Sequence, residues 1–441
     1  MSETATNDTT PKDVETKDQK NGDQNGEEEK DKTQTPPVKE MRAIVLTGFG
    51  GLKSVKVMKR PEPTLSEGEV LIRVKACGLN FPDLMLRQGV IDNPPKTKAP
   101  FIMGFECAGE IEAVGEGVTG FRVGDRVAAL SEAKAWAELV AINTKYVYKI
   151  PAKMSFQDAV ATTMNYVVAY ALLFGVGNLK SDQTVLVHSV GGGVGQAVAQ
   201  LAKTVGNVTL IGTATKAKHE SIQNVTHLID HTNDYIQEIK KVAPDGVDLV
   251  LDCLCGDDAN KGYSLLKPMG RYILYGASKL TTGETKSLFS LAKFWWQVDK
   301  VSPMKLFDEN KTIAGFNLRQ LLYQQGRDEY VRDIVDNVYK LYSEGQIKPV
   351  VDSTWALEDI ADAMQKLHDR KNIGKVVLDP SQEPIPRPPE EVIEKKRKGS
   401  AKEKETKDKD KEKDKENKES KDKVENSDST EKAPENGDNS K

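Results

Sequence analysis

The sequence predicts an α/β protein of two domains. An all-β half precedes a doubly wound parallel-sheet half, and disordered charged segments flank the pair. Three observations predict this. Short alternating runs broken by Gly and Pro fill residues 41 to about 164. From about Tyr166, apolar runs of four to seven residues alternate with helical stretches, the mark of buried parallel strands. The charge is uneven: residues 1–40 carry 6 Lys/Arg and 11 Asp/Glu, residues 381–441 carry 17 and 18, and 40 and 38 remain for the middle 340.

The head, residues 1–40, is rich in Thr, Asp, Glu, Lys and Gln. It has too few large apolar side chains to offset the entropy of ordering, so disorder is expected. Its opening MSETATNDTTPKDVETKD has no apolar stretch, so no secretory signal is expected, and its acidity is unlike a mitochondrial transit peptide. MRAIVLTGFG, VLIRVKACGLN, GEIEAVGEGV, DRVAAL and AWAELVAI then read as strands. PEPTLSEGE, NPPKTKAP and FRVGD are the turns between them.

The second half opens with the strand TVLVHSV and the helix in GGGVGQAVAQLAKTVG. VTLIGT, KAKHESIQ, HLID, DYIQEIKKVAP, VDLVLDCL, KGYSLLKPMG and RYILYGA continue the alternation. IVDNVYKLYS, IKPVVDSTWALEDIADAMQKL and GKVVLDP supply helices and two short strands, too little for a third domain. The apolar run 166–176 is shorter than the roughly 20 residues a bilayer demands. No transmembrane segment is therefore expected.

The tail from 381 leaves through EPIPRPPEE into KEKETKDKDKEKDKENKESKDK. Alternating charges at i,i+4 favour a solvated helix, whereas Asp and Asn lower that propensity and favour disorder. Residues 395–398 (KKRK) match a nuclear-import pattern, or are a fragment of a mixed-charge tail. The nearly neutral centre excludes a dedicated nucleic-acid binder. Cys77, Cys107, Cys253 and Cys255 give no disulfide framework and fit a reducing, cytoplasmic setting.

The sharpest local signal is residues 185–195, VLVHSVGGGVG. A buried strand feeds a glycine cluster, and the cluster opens a helix expected over Gln196–Val205. Gly191, Gly193 or both allow a tight turn, Gly192 and Gly193 let backbone N–H groups approach a pyrophosphate, and Gly195 lets helix and strand pack closely. The helix N-terminus adds partial positive charge. The next strand ends at Gly212-Thr213 without the carboxylate that usually holds the ribose of NAD. Lys216, Lys218 and His219 follow, and His231 lies after the third strand. These cations fit the 2′-phosphate of NADPH, or are solvated helix residues.

With the glycine loop placed after an all-β half, the chain resembles the zinc-independent quinone oxidoreductase branch of the medium-chain dehydrogenase/reductase superfamily. The resemblance runs from Met41 to Pro380. It rests on ACGLNFPDLMLRQG, PFIMGFECAGEIEAVGEGVTGFRVGDRV, VLVHSVGGGVGQAVAQLAK, LLKPMGRYILYG and NIGKVVL. GLNFPDLMLRQG, NVTLIGTATKAKHE, LLKPMG and IKPVVDSTW are most similar to the synaptic vesicle membrane protein VAT group.

The resemblance implies a GroES-like β domain over 41–165, completed by 317–380, and a Rossmann domain over 166–316 with NADPH in the cleft. Metal-using relatives hold catalytic zinc at positions that here are Asn80, Phe105 and Met164, so no metal is expected. Cys253 and Cys255 are expected in the core or the cofactor pocket. By resemblance the cofactor follows Gly191, Gly192, Gly193, Val194 and Gly195, then Thr213, Lys218 and His231. Cys255, Gly256, Tyr275, Gly276, Ala277 and Ser278 flank its path, and Ala314, Gly315, Phe316 and Lys375 line the nicotinamide side. Met85 departs from relatives that carry Tyr beside the cofactor.

Hydride transfer requires the acceptor oxygen to be polarised. Without zinc this falls to hydrogen-bond donors, with Asn80 the candidate and Asp83 either orienting it or capping the next helix. The expected acceptor is a quinone or an α,β-unsaturated carbonyl, and the expected assembly a homodimer. The location implied is cytoplasmic, peripheral on synaptic vesicles or the mitochondrial outer membrane, with partner contacts through the tails. A second reading is a non-catalytic NADPH-binding regulator or scaffold.

Overall fold

In the computed structural model, which describes residues 39–91, 98–281 and 301–387, the apolar runs of the second half form one six-stranded parallel sheet. Its order across the sheet is His227–Asp230, Thr209–Ala214, Thr184–Val187, Val247–Asp252, Leu266–Leu274 and Thr312–Gly315. In chain order this is 3-2-1-4-5-6, the arrangement of a doubly wound dinucleotide fold. The order reverses between Thr184–Val187 and Val247–Asp252, so a crevice opens beyond their carboxyl ends.

Alternation along the first of these strands decides what each side chain meets. Val185 and Val187 face a core shared with the helices Gly193–Lys203 and Phe156–Tyr170. Leu186 faces the opposite core, with Tyr235 and Ile239 of the helix Tyr235–Val242. His188 continues the Leu186 face, and its ring meets the Tyr235 ring edge-on at 5.6 Å.

The first half forms a seven-stranded mixed sheet around the strand Glu69–Leu79. That strand pairs antiparallel with Glu106–Val114, Leu139–Asn143 and Lys375–Leu378. Cys77 stands opposite Cys107 and Val376 opposite Leu79, so Asn80, Glu106 and Lys375 gather at one end of the sheet. Gly78 makes the approach possible: a Cβ there would lie 2.6 Å from the Glu106 carboxyl carbon. A three-stranded sheet of Val55–Pro61, Glu40–Leu46 and Phe101–Ile102 completes this part. All four cysteines are free thiols.

Several expectations shift. The helix after the glycine loop starts at Gly193 rather than Gln196, because the loop itself supplies the first turn. LLKPMG is not helical; the helix Asp257–Ser264 ends before it, and the strand Leu266–Leu274 begins there by pairing with Val247. The helix Phe156–Tyr170 runs through the expected boundary at 165. Residues 381–387 are bonded to the body. Arg387 donates to Asp359 at 2.9 Å and Asp362 at 2.8 Å, and the Ile385 N–H donates to Asp359 at 3.0 Å. The rest of the expected tail, the KKRK pattern and the head before Lys39 lie outside the described residues.

The segment Phe156–Val176 has 21 residues and enough apolar character to cross a membrane, which exceeds the run 166–176 seen in the sequence. Of its apolar window 72% is buried. Protein covers it: Ala159, Val160, Tyr166, Val167 and Leu172 belong to the largest core cluster.

Candidate functional site

The crevice at the strand reversal is a cavity of about 910 Å³. His188 follows the first strand, His231, Asn233 and Tyr235 the third, Leu254 the fourth, and Lys279 the fifth. Phe81, His368 and Arg370 bring the other half of the molecule to its wall. Inside, Asp258 accepts from the Tyr235 hydroxyl at 2.7 Å and from the Lys279 ammonium at 2.6 Å. Those two bonds and the charge of Lys279 outweigh burial and hold the Asp258 carboxyl below its usual range.

The glycine loop follows His188 in the chain at the same carboxyl edge of the sheet, and Gly191–Gly195 are not among the residues that line the cavity. Gly192 is the N-cap of the helix Gly193–Lys203 and brings no side-chain cap, so the first N–H groups suit an anion. Two glycines are required by contact. A Cβ on Gly195 would lie 2.5 Å from the Val190 Cα, and one on Gly193 would overlap the Asn165 amide. This loop, the strand order and the crevice at the reversal fit a dinucleotide.

The expected cofactor segments fall at the carboxyl ends of the six parallel strands. Thr213 is next to last in its strand, Cys255 and Gly256 follow the fourth, Tyr275–Ser278 follow the fifth, and Ala314–Phe316 close the sixth. Of the expected residues, His231 lines the cavity itself. Gly256 holds φ 66° and ψ −138° at the start of Asp257–Ser264, a conformation suited to glycine. Tyr275 is half-buried, and desolvation together with the neighbouring Cys253 pushes its hydroxyl pKa well up. Lys218 is turned elsewhere: its ammonium donates to the Asn372 carbonyl at 2.7 Å, and the Gly374 N–H donates to Gly191 O at 2.9 Å. Residues 372–374 thus form a strap across the glycine loop.

Asn80 and Asp83 are not open to a bound molecule. The Asn80 amide donates to Glu106 Oε1 at 2.7 Å, and its oxygen accepts from the Lys375 ammonium at 2.6 Å. Lys375 also pairs directly with Glu106, and Glu106 Oε2 accepts from the Met164 N–H at 3.3 Å. Asp83 accepts from the Asn80 backbone N–H at 2.8 Å and so caps the helix Phe81–Gln88. It is fully buried, which raises its pKa well above the carboxylate range. Of the two roles considered for Asp83, the cap is the one its bonds serve.

Lys375, expected on the nicotinamide side, bonds Asn80 and Glu106 with its ammonium. Asn80, Phe105 and Met164 do not fit a zinc ion, and a cation is already present. Among the described residues no three His, Cys, Asp or Glu converge as a metal site.

Sequence reasoning passed over Glu106 and His188. Glu106 sits in a strand between apolar neighbours, and His188 is a polar residue inside the apolar run TVLVHSV. Each carries the same signal, a polar side chain where the pattern demands burial.

Comparison with known proteins agrees with this geometry. Residues 66–152 match the alcohol dehydrogenase GroES-like domain, and residues 223–378 match the family described as zinc-binding dehydrogenase. The chain is 58% identical over 348 residues to the synaptic vesicle membrane protein VAT-1 homolog-like of Mus musculus, covering 79% of this chain and 83% of that protein. It is 31% identical over 346 residues to a quinone oxidoreductase of Lama guanicoe, covering 77% and 97%. A mycobacterial structure, Rv1454c complexed with NADPH, superposes with a TM-score of 0.66 at 27% identity, covering 77% and 100%.

Proposed function

This chain belongs to the medium-chain dehydrogenase/reductase superfamily, in its VAT-1 group, and from that premise we propose that it is an NADPH-dependent, zinc-independent oxidoreductase. The observation that carries the reading is the cavity at the strand reversal, at the same carboxyl edge of the sheet from which the glycine loop leads into Gly193–Lys203. A nicotinamide dinucleotide bound there supplies the hydride. The chain's own residues bind it: Gly191–Gly195 receive the pyrophosphate, and Cys255, Gly256 and Tyr275–Ser278 border its path. NADPH is favoured over NADH because Thr213 stands where a carboxylate would hold the ribose, and His231 opens on the cavity.

The acceptor is a quinone or an α,β-unsaturated carbonyl. Asn80 is the amide that orients its oxygen once Glu106 releases the amide N–H. The chain acts as a homodimer, peripheral at the cytoplasmic face of vesicle or organelle membranes. The relatives named as synaptic vesicle membrane proteins support this location.

One observation favours the second reading, a nucleotide-binding regulator. Both ends of the Asn80 amide are spent on Glu106 and Lys375. NADPH oxidation against a panel of quinones and enones decides between them. Turnover supports the enzyme, tight binding without turnover supports the regulator, and no binding removes both.

A further inference from the structure

His188 is fully buried, yet its Nε2 has no hydrogen-bond partner among the described residues, and the residue lines the cavity. Buried polar groups are nearly always hydrogen-bonded, so an unpaired buried imidazole nitrogen requires an explanation. The other ring nitrogen is fixed: Nδ1 lies 3.1 Å from Thr213 Oγ1.

The direction of that bond follows from the hydroxyl. Thr213 Oγ1 already accepts the Ser189 N–H at 3.3 Å, and its own proton has no other acceptor among the described residues. The hydroxyl therefore donates to Nδ1, and the proton of a neutral imidazole sits on Nε2. Tyr235 packs edge-on against the ring and holds its plane.

The place of this donor is informative. Thr213 lies one residue from the carboxyl end of the second strand, where a dinucleotide fold reads the adenosine ribose. His231, Asn233 and Tyr235, from the loop after the third strand, share the cavity wall with His188. The first three strands and their loops build the adenosine half of such a site.

We propose that His188 is a nucleotide-binding residue, donating its Nε2–H to an acceptor oxygen or nitrogen on the adenosine half of the bound dinucleotide. Thr213 is its positioning residue, fixing the tautomer that makes Nε2 a donor. The inference rests on the NADPH reading above and assigns a part of that site which neither the glycine loop nor the cations explain.

The test uses the full chain labelled with ¹⁵N-histidine, which has five histidines. Binding of NADPH and of 2′,5′-ADP is measured by calorimetry for wild type and for His188→Phe, which keeps a ring against Tyr235. The Nε2–H signal of wild-type His188 is followed during the same titrations. We expect both ligands to bind the variant about 5- to 10-fold more weakly, and the wild-type signal to shift with 2′,5′-ADP as it does with NADPH. An unmoved signal at saturating 2′,5′-ADP overturns the proposal and leaves His188 a core residue satisfied by water. So does equal affinity of the variant. If His188→Phe fails to fold, the wild-type titration still decides. A wild-type chain that binds neither ligand removes the cofactor reading, and this proposal with it.

Discussion

Lys375 and Glu106, 269 residues apart in sequence, form an ion pair that is 2% and 1% exposed. Two charges removed from water demand each other: breaking such a pair by removing one partner costs about 3–5 kcal/mol, while replacing both by apolar groups of similar volume is often neutral. Lys375→Met should therefore lower the melting temperature sharply, and adding Glu106→Leu should recover much of the loss. Thermal unfolding of the two single variants and the double variant checks this. A double variant that melts lower than either single one would show that the pair is not the source.

Asn80 draws both of its amide bonds from that pair. Asn80→Ala should reduce turnover with a quinone by about 10²-fold or more, the scale for loss of one oriented donor, while NADPH affinity stays within a few fold. Separate measurement of kcat and of the NADPH Kd tests it. Unchanged turnover would make the amide a purely structural partner of Glu106 and Lys375.

Burial lowers the pKa of His188 below the ordinary 6.5. The unfolded chain then binds a proton that the folded chain refuses, in the interval beneath 6.5. Stability contributed by the neutral ring is complete above that value and falls as pH drops through the interval. His188→Gln should flatten this acid slope, as read from unfolding midpoints at a series of pH values. An unchanged slope would place the titrating group elsewhere.

The strand Thr312–Gly315 closes one edge of the parallel sheet, and Met269, Met304, Phe307 and Ile313 are exposed close to it in sequence and sheet order. Met269 is 74% and Phe307 75% exposed, large apolar side chains that a partner surface would cover. If the homodimer forms along this edge, Ile313→Lys should convert it to a monomer in light scattering, without loss of the fold. A dimer that persists would put the interface elsewhere.

How much of this was written in the sequence depends on the range of the signal. The glycine loop, the parallel strands and the switch from period 2 to strand–helix alternation are local, and they led directly to the sheet and its crevice. The start of the helix at Gly193 was missed because glycine has low helix propensity; the loop geometry overrides it. LLKPMG was misread because its strand is defined by Val247, a partner outside the window. The Asn80–Glu106–Lys375 network is formed by three distant segments. In sequence, Glu106 shows only as a carboxylate between apolar neighbours and Lys375 as an ordinary charge, and strand pairing is what brings them together. His188 was visible as a polar break in an apolar strand, but its free nitrogen follows from which face the alternation gives it.

The boundary at Pro380 is the last point where structure revises sequence. Composition makes residues 381–387 part of a polar exit, yet they satisfy a buried carboxylate. Asp359 is 1% exposed, and it accepts from the Ile385 N–H at 3.0 Å and from the Arg387 guanidinium at 2.9 Å. Arg387 reaches Asp362 as well, at 2.8 Å. Ending the chain at 380 removes all three bonds and opens Asp359 to water. Renewed hydration offsets part of the loss, so the expected cost is about 1–3 kcal/mol, the range for a charged group deprived of its partners. Ending it at 387 keeps them. A chain of residues 39–387 should melt close to the full-length protein and bind NADPH equally well, whereas 39–380 should melt several degrees lower with little change in NADPH affinity, because Asp359 does not line the cavity. Differential scanning fluorimetry with calorimetric NADPH titration separates the two. Equal melting of both truncated chains would mean that Asp359 is satisfied without residues 381–387.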